Sequence, residues 1–348
     1  MFGTSTEIDP SILSLRTQEE LKGLAVAPAK VILAGEHFVV YGAPAIVAAV
    51  NMHSKATVSR RNDRTIVVRS SSPRCAISVI GARSKVLQGG KKARTMLEPV
   101  CHVARAALRQ FGGEEKGLNV QIDSAIPVGV GLGSSAAVSV STIAATAKLL
   151  RRGLDRRAIR SLAFESERLI HDIPSGIDQT VSAFGGVIAY RREKPFRQVS
   201  LKRPFRIIIG NTGETRSTGA MVSRVRIFLS NRSSLQRQMM KSAERISGNV
   251  LLALERGDRR KLGELMNQNH ELLRRIGAST EELDRLVSTA REAGAFGAKL
   301  TGAGGGGCMI AVAPTTATRN VLEAIRGAGG TPYLVSVERE GVRSWLLR

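Results

Sequence analysis

Runs of β-forming residues fill the first part of the chain, and helical periodicity takes over later. Residues 1–22 are polar and read as a helix or a mobile lead. From Gly23, the stretch GLAVAPAKVILAGEHFVVYG sets Val26, Val31, Ile32, Leu33, Phe38, Val39 and Val40 among breaks at Pro28 and Gly35, which predicts strand and then loop. Residues 46–60 and 65–79 read as further strands, with a turn over 60–64. From 91 to 111, Met96, Val100, Val103, Ala104, Ala107 and Leu108 share one helical face. Residues 118–122 alternate as a strand does, 126–134 form a glycine-rich loop, and 135–150 predict a helix of small residues suited to burial.

The second half continues with a helix over 158–170, a break at Pro174, Ser175 and Gly176, and a short helix over 177–184. A strand at 187–190 leads into the polar stretch 191–200 with Pro195, the best candidate boundary. Beyond it come a strand at 206–210, long helices between 217 and 275, a helix over 280–293, a strand at 308–312, a helix over 318–327 and a final strand at 333–337. Strands and helices mix without strict βαβ alternation. That argues for an α+β protein of two lobes and against a doubly wound nucleotide fold. At roughly 150 residues per domain, 348 residues agree with two domains. The expected division is a lead over 1–22, an N-terminal domain over 23–198 and a C-terminal domain over 199–348.

Composition narrows the function. Apolar residues make up 43% and charged residues 23%, enough for a sizeable core and too apolar for wholesale disorder. No run of about 18 uncharged apolar residues occurs, so no membrane partner is expected. Residues 1–10 lack an apolar segment, and Cys75, Cys101 and Cys308 are few and widely spaced. Both features suggest a cytoplasmic protein with reduced thiols. The net charge is +23, which fits either a nucleic-acid binder or a field attracting an anionic substrate. Aromatics at 4% leave few rings for stacking on bases, and the basic residues are spread along the chain, so nucleic acid is disfavoured.

The strongest local signal is Pro127, Val128, Gly129, Val130, Gly131, Leu132, Gly133, Ser134, Ser135, Ala136 and Ala137. Alternating glycines let a backbone approach a phosphate, and a helix start offers free N–H groups to it. A plain tight turn with serine as helix cap is the bland alternative. A second run, Lys299 to Cys308, contains Gly302, Ala303, Gly304 and Gly305; a strand follows it, so it is not a dinucleotide fingerprint. Four glycines in succession suggest a close backbone approach. Candidate acids are Glu167, at a helix end, and Asp178, just after the Pro174–Gly176 break, where a simple first-turn acid is equally possible. Lys30 lies beside an apolar strand, and Glu36 and His37 sit together in a turn between β segments.

These segments together resemble the GHMP kinase superfamily and, within it, the mevalonate kinase family. Residues 27–42 (APAKVILAGEHFVVYG), 127–137 and 299–308 carry the resemblance, with Glu167 to His171, Pro174 to Asp178, Asn211-Thr212 and Arg216 to Thr218 between them. The resemblance covers roughly residues 23–315. It implies an N-terminal, ATP-binding lobe similar to ribosomal protein S5 domain 2, and a ferredoxin-like C-terminal lobe. ATP would lie against the Pro127–Ala137 loop, with Mg²⁺ held by Ser135 and Glu167. Asp178 would act as base on the C5 hydroxyl of mevalonate, with Lys30 neutralising charge beside it. Glu36, His37 and Thr218 would contact mevalonate alongside Lys30 and Asp178. Gly302, Ala303, Gly304 and Gly305 would close the site around the phosphates. A homodimer is one option that the sequence leaves open.

Overall fold

The structure is a computed structural model and describes residues 21–113, 116–168, 175–192, 194–214 and 218–348. Two long antiparallel strands, β1 (Lys22–Ala34) and β2 (Ala45–Arg61), are its backbone. β1 alternates between buried and partly exposed in its first half and is buried on both faces from Ala27 to Ala34. Pro28 does not end the strand. It sits at a register shift between Pro28 and Ala29, where a residue without an N–H is tolerated. Residues 38–41, which read as β-forming, instead make a short 3-10 turn that buries Phe38 and Val39. Gly35 and Gly42 bracket it with φ near 98° and 95°, folding an apolar run back on itself.

The expected strand over 65–79 is two strands, β3 (Ile66–Ser70) and β4 (Cys75–Ile80), because the turn residues Ser71, Ser72 and Pro73 split it. A polar edge strand follows, β5 (Arg83–Gln88), which hydropathy alone does not reveal. Then come α1 (Gly90–Phe111), β6 (Gly117–Ser124), α2 (Ser134–Leu149), α3 (Arg156–Arg168), α4 (Ile177–Phe184), β7 (Val187–Tyr190) and β8 (Arg197–Val199). α2 is buried on almost every side. Its small residues let β1 lie directly on it: a Cβ at Gly23 would come within 2.0 Å of the Ala145 carbonyl oxygen.

The second lobe holds β9 (Arg206–Asn211), α5 (Thr218–Ser230), α6 (Ser233–Arg256), α7 (Arg259–Arg275), α8 (Glu281–Glu292), β10 (Gly297–Thr301), β11 (Cys308–Val312), α9 (Thr318–Gly327) and β12 (Thr331–Ser336). Its sheet runs β10-β11-β9-β12, antiparallel throughout. The last strand, β13 (Arg343–Leu347), returns to the first lobe and pairs with β1. The first sheet therefore runs β13-β1-β2-β6-β3-β4-β5, with β7 and β8 on the N-terminal half of β2. A cut at 198/199 leaves β13 apart from the sheet that it completes, so the C-terminal domain expected over 199–348 is not a separate unit in space. The α+β architecture with helices packed on two sheets is as expected. Most of the lead over 1–22, and the sequence matches at 169–174 and 216–217, lie outside the described residues. Among the described residues, no helix is long and apolar enough to cross a membrane.

Candidate active site

β6 ends at Ser124, and the chain then passes through the glycine loop into α2, whose N-cap is Gly133 at φ 75°. Ser134 and Ser135 open the helix, Ser135 being exposed. No side chain caps this end, so its first N–H groups face outward, as an anion site requires. The loop is fastened to β1 by a hydrogen bond from the Lys30 N–H to the Leu132 carbonyl, 3.0 Å.

That fastening brings the Lys30 side chain beneath Gly133. Its ammonium lies 3.2 Å from Asp178, in the first turn of α4. The Lys30 side chain is 6% exposed and that of Asp178 27%, so the pair sits at the floor of an opening. The turn that presents Asp178 is itself held. Tyr190 Oη donates to the Ser175 carbonyl at 2.7 Å, and Arg160 Nε donates to Thr180 Oγ1 at 2.8 Å. Glu167 closes α3 nearby. Burial, reinforced by the Asp178 charge and opposed by Lys30, pushes its carboxyl up to about 8. Lys30 thus acts on both carboxyls, and a further cation would favour the charged form of Glu167.

The second glycine run faces the first. The Gly302 backbone abuts Gly131, and a Cβ at Gly307 would fall 2.8 Å from the Val130 carbonyl oxygen. Only a cleft of about 10 Å³ remains between the two loops, among Gly129, Gly131, Thr301 and Ala303. A larger cavity of about 630 Å³ lies elsewhere, between α1 and α3, lined by His102, Arg105, Arg109, Leu162, Glu165 and Ser166. It contains neither Lys30 nor Asp178.

His37 reaches this region by an unusual backbone. It has φ 59° and ψ −44°, and the Phe38 N–H donates to the Glu36 carbonyl at 2.6 Å across it, a γ-turn of the strained hand. Such conformations cost on the order of 1–3 kcal/mol and gather at functional sites. His37 Nε2 lies 2.8 Å from the Ala303 carbonyl. A carbonyl only accepts, so Nε2 carries the hydrogen and Nδ1 is left as an acceptor. Burial lowers the imidazole pKa, against the Ala303 contact, and favours this neutral form.

Of the residues singled out in the sequence, Lys30, Asp178, Glu167, Gly133 and the start of α2 come together, and Gly302 and Ala303 reach them from the second lobe. Thr218 opens α5. Glu36 departs from expectation. It is 1% exposed, and its oxygens are taken by Lys299 and Asn269, so it is not open to a substrate. Lys299 and Asn269 were given no role from the sequence. The available signal was a lysine inside a strand, β10, that is otherwise apolar or small. Among the described residues, no cluster of three or more His, Cys, Asp or Glu side chains could hold a metal.

The GHMP kinase N-terminal domain profile matches residues 98–186, and the GHMP kinase C-terminal profile matches residues 250–330. The mevalonate kinase of Pyrococcus furiosus is 40% identical over 331 residues, covering 93% of this chain and 98% of that protein. The mevalonate kinase of Pyrococcus horikoshii is 41% identical over 332 residues, covering 92% and 97%. The crystal structure of L. major mevalonate kinase in complex with R-mevalonate superposes with a TM-score of 0.77 at 26% identity, covering 91% of this chain and 96% of that one. Identity of this level along nearly the whole length of both sequences, on the same two-lobed frame, makes the chain a member of the mevalonate kinase family of GHMP kinases.

Proposed function

We propose that this protein phosphorylates the C5 hydroxyl of (R)-mevalonate with ATP, giving 5-phosphomevalonate and ADP. The family supports the reaction. The observation that carries the assignment of residues is the Lys30–Asp178 pair directly under Gly133, where the glycine loop hands over to α2. Phosphates of ATP lie along Pro127–Ala137, receiving hydrogen bonds from backbone N–H groups at the α2 start. Asp178 takes the proton of the C5 hydroxyl as that oxygen bonds to the γ-phosphorus, and the bond to the β-phosphate oxygen breaks. Lys30 neutralises charge beside both. His37 Nδ1 is the acceptor available to a substrate hydroxyl, Thr218 would contact mevalonate, and the Gly302–Gly305 backbone would close the site around the phosphates. Phosphoryl transfer asks mostly for position and charge compensation, which these groups supply.

Ser135 and Glu167 suit a magnesium ion. Both offer hard oxygen, and a cation beside Glu167 would offset the burial and the Asp178 charge that disfavour its ionised form. Magnesium would supply charge neutralisation on the transferred phosphoryl. The three buried, free cysteines suit a reducing cytoplasm. The test is ADP release coupled to a reporter enzyme, with ATP and Mg²⁺ present. Turnover that depends on mevalonate supports the proposal, and ADP release indifferent to mevalonate refutes it.

A further inference from the structure

One buried ion pair is not consumed by the reaction described above. Glu36, in the first lobe, is 1% exposed, and Lys299, on β10 of the second lobe, is 0% exposed. Lys299 Nζ donates to Glu36 Oε1, to the Ile32 carbonyl at 3.1 Å and to the Leu300 carbonyl at 2.6 Å, so all three ammonium hydrogens are used. Asn269 of α7 takes the other side: its Nδ2 donates to Glu36 Oε2 at 3.3 Å, and its Oδ1 accepts from the Gly35 N–H at 3.4 Å. Thr301 Oγ1 adds a fifth tie between the lobes, accepting from the Ile32 N–H at 2.8 Å. Apart from the Lys299–Leu300 contact within β10, every contact joins residues 32–36 of the first lobe to α7 or β10 of the second.

The ends of this seam are the parts of the site that must meet. Glu36 directly precedes His37, whose ring is pinned to Ala303, and Lys299 lies three residues before Gly302, which abuts Gly131. Ile32 is two positions from Lys30, on the same face of β1. Burial drives the Glu36 carboxyl up and the Lys299 ammonium down, while each opposes that drive in the other. Wherever the shared proton rests, the pair has no net charge. Lys30 is close enough to act on both.

We infer that Glu36 and Lys299 are positioning residues: their ion pair locks the two lobes so that His37 and the second glycine run stand in register with the phosphate loop. This inference rests on the proposed reaction for its kinetic test, so a second readout needs no substrate. Lys299→Met leaves the Glu36 carboxylate buried and without its cation, and Glu36→Gln with Lys299→Met removes both charges while keeping the shapes. Breaking one member of a buried pair is far worse than replacing both. Lys299→Met should lower kcat about 10- to 100-fold, the scale of roughly 1 Å misplacements, with the ATP KM within about threefold. The double variant should recover to within about fivefold of wild type. In hydrogen exchange, amides of residues 35–38 and 301–307 should exchange at least about tenfold faster in Lys299→Met and return toward wild type in the double variant.

A raised mevalonate KM in Glu36→Gln that the double variant does not relieve would mean that Glu36 binds substrate directly, and the inference fails. Wild-type kcat in folded Lys299→Met also overturns it. If Lys299→Met does not fold, the double variant decides alone. Turnover within about fivefold supports positioning, and a loss above about 100-fold in a folded protein refutes it. Absence of wild-type turnover on mevalonate would count against the proposed reaction only, because the exchange measurement stands without it.

Discussion

A single methyl group at Gly133 tests the geometry of the site. Gly133 has φ 75°, and a Cβ built there lies 2.8 Å from Lys30 Cγ and 3.5 Å from Asp178 Oδ2. Carbon atoms rest about 3.5–4.0 Å apart, so Gly133→Ala forces Lys30 to move by about 1 Å. The Lys30–Asp178 distance of 3.2 Å then opens beyond hydrogen-bond range. Misplacement of this size costs about 100-fold in rate. The same substitution also carries a backbone cost of about 1–2 kcal/mol for a side chain in the left-handed region. Gly329→Ala isolates that cost, since Gly329 has φ 87° and nothing within 4 Å of the added methyl. Both variants are assayed by steady-state kinetics well below their melting temperatures, with melts followed by circular dichroism. Gly133→Ala should lose about 100-fold in kcat, and Gly329→Ala should lose comparable stability with kcat within about twofold. Equal kcat in the two variants would refute the claim that Lys30 must be held against Asp178.

Other outcomes follow from the same site. Asp178→Asn should bind ATP near normally by calorimetry yet lose about 100-fold or more in turnover, the upper range for loss of a general base; wild-type turnover in the folded variant removes Asp178 from the mechanism. Ser135→Ala and Glu167→Gln should each shift the Mg²⁺ titration of activity to higher concentration, because each removes an oxygen donor, and superimposable titrations would refute the ligand assignment. His270 reports on acid stability. It is 2% exposed, accepts the Leu300 N–H at Nδ1 and faces Asp284 at 3.1 Å, and burial lowers its pKa from 6.5 to about 4. The unfolded chain thus binds the extra proton first, so stability present above pH 6.5 is lost as pH falls toward 4. Urea melts of wild type and His270→Gln at pH 7 and pH 4.5 should show a steeper loss in wild type, and parallel losses would contradict it.

How much of this could be read in the sequence depended on whether a feature was local. The short helix over 177–184 and the strands at 187–190 and 308–312 have their expected bounds, because glycine or turn residues mark each entry. The glycine loop and the helix after it were legible for the same reason. Phe38, Val39 and Val40 misled, since their β preference yields to two positive-φ glycines that fold the segment under the second lobe. β5 and β13 are edge strands, and neither carries a buried stripe that periodicity could detect. Glu36 was visible as a carboxylate in a turn, but its partner Lys299 is 263 residues away, and no local pattern pairs them. The contact of Lys30 with Asp178 is likewise a property of the fold, although each residue stood out alone.

The proposed reaction delivers the phosphoryl group to one particular oxygen, the primary hydroxyl that Asp178 would deprotonate. Phosphorus-31 NMR of the products from wild-type protein, ATP, Mg²⁺ and mevalonate tests it directly. Transfer to C5 places the new ester on a CH2 carbon, so its proton-coupled signal is a triplet that appears in step with ADP and is absent in Asp178→Asn. The tertiary C3 hydroxyl and the C1 carboxylate have no hydrogen on the carbon bearing the oxygen. A singlet ester signal, or inorganic phosphate with no ester, would contradict the claim.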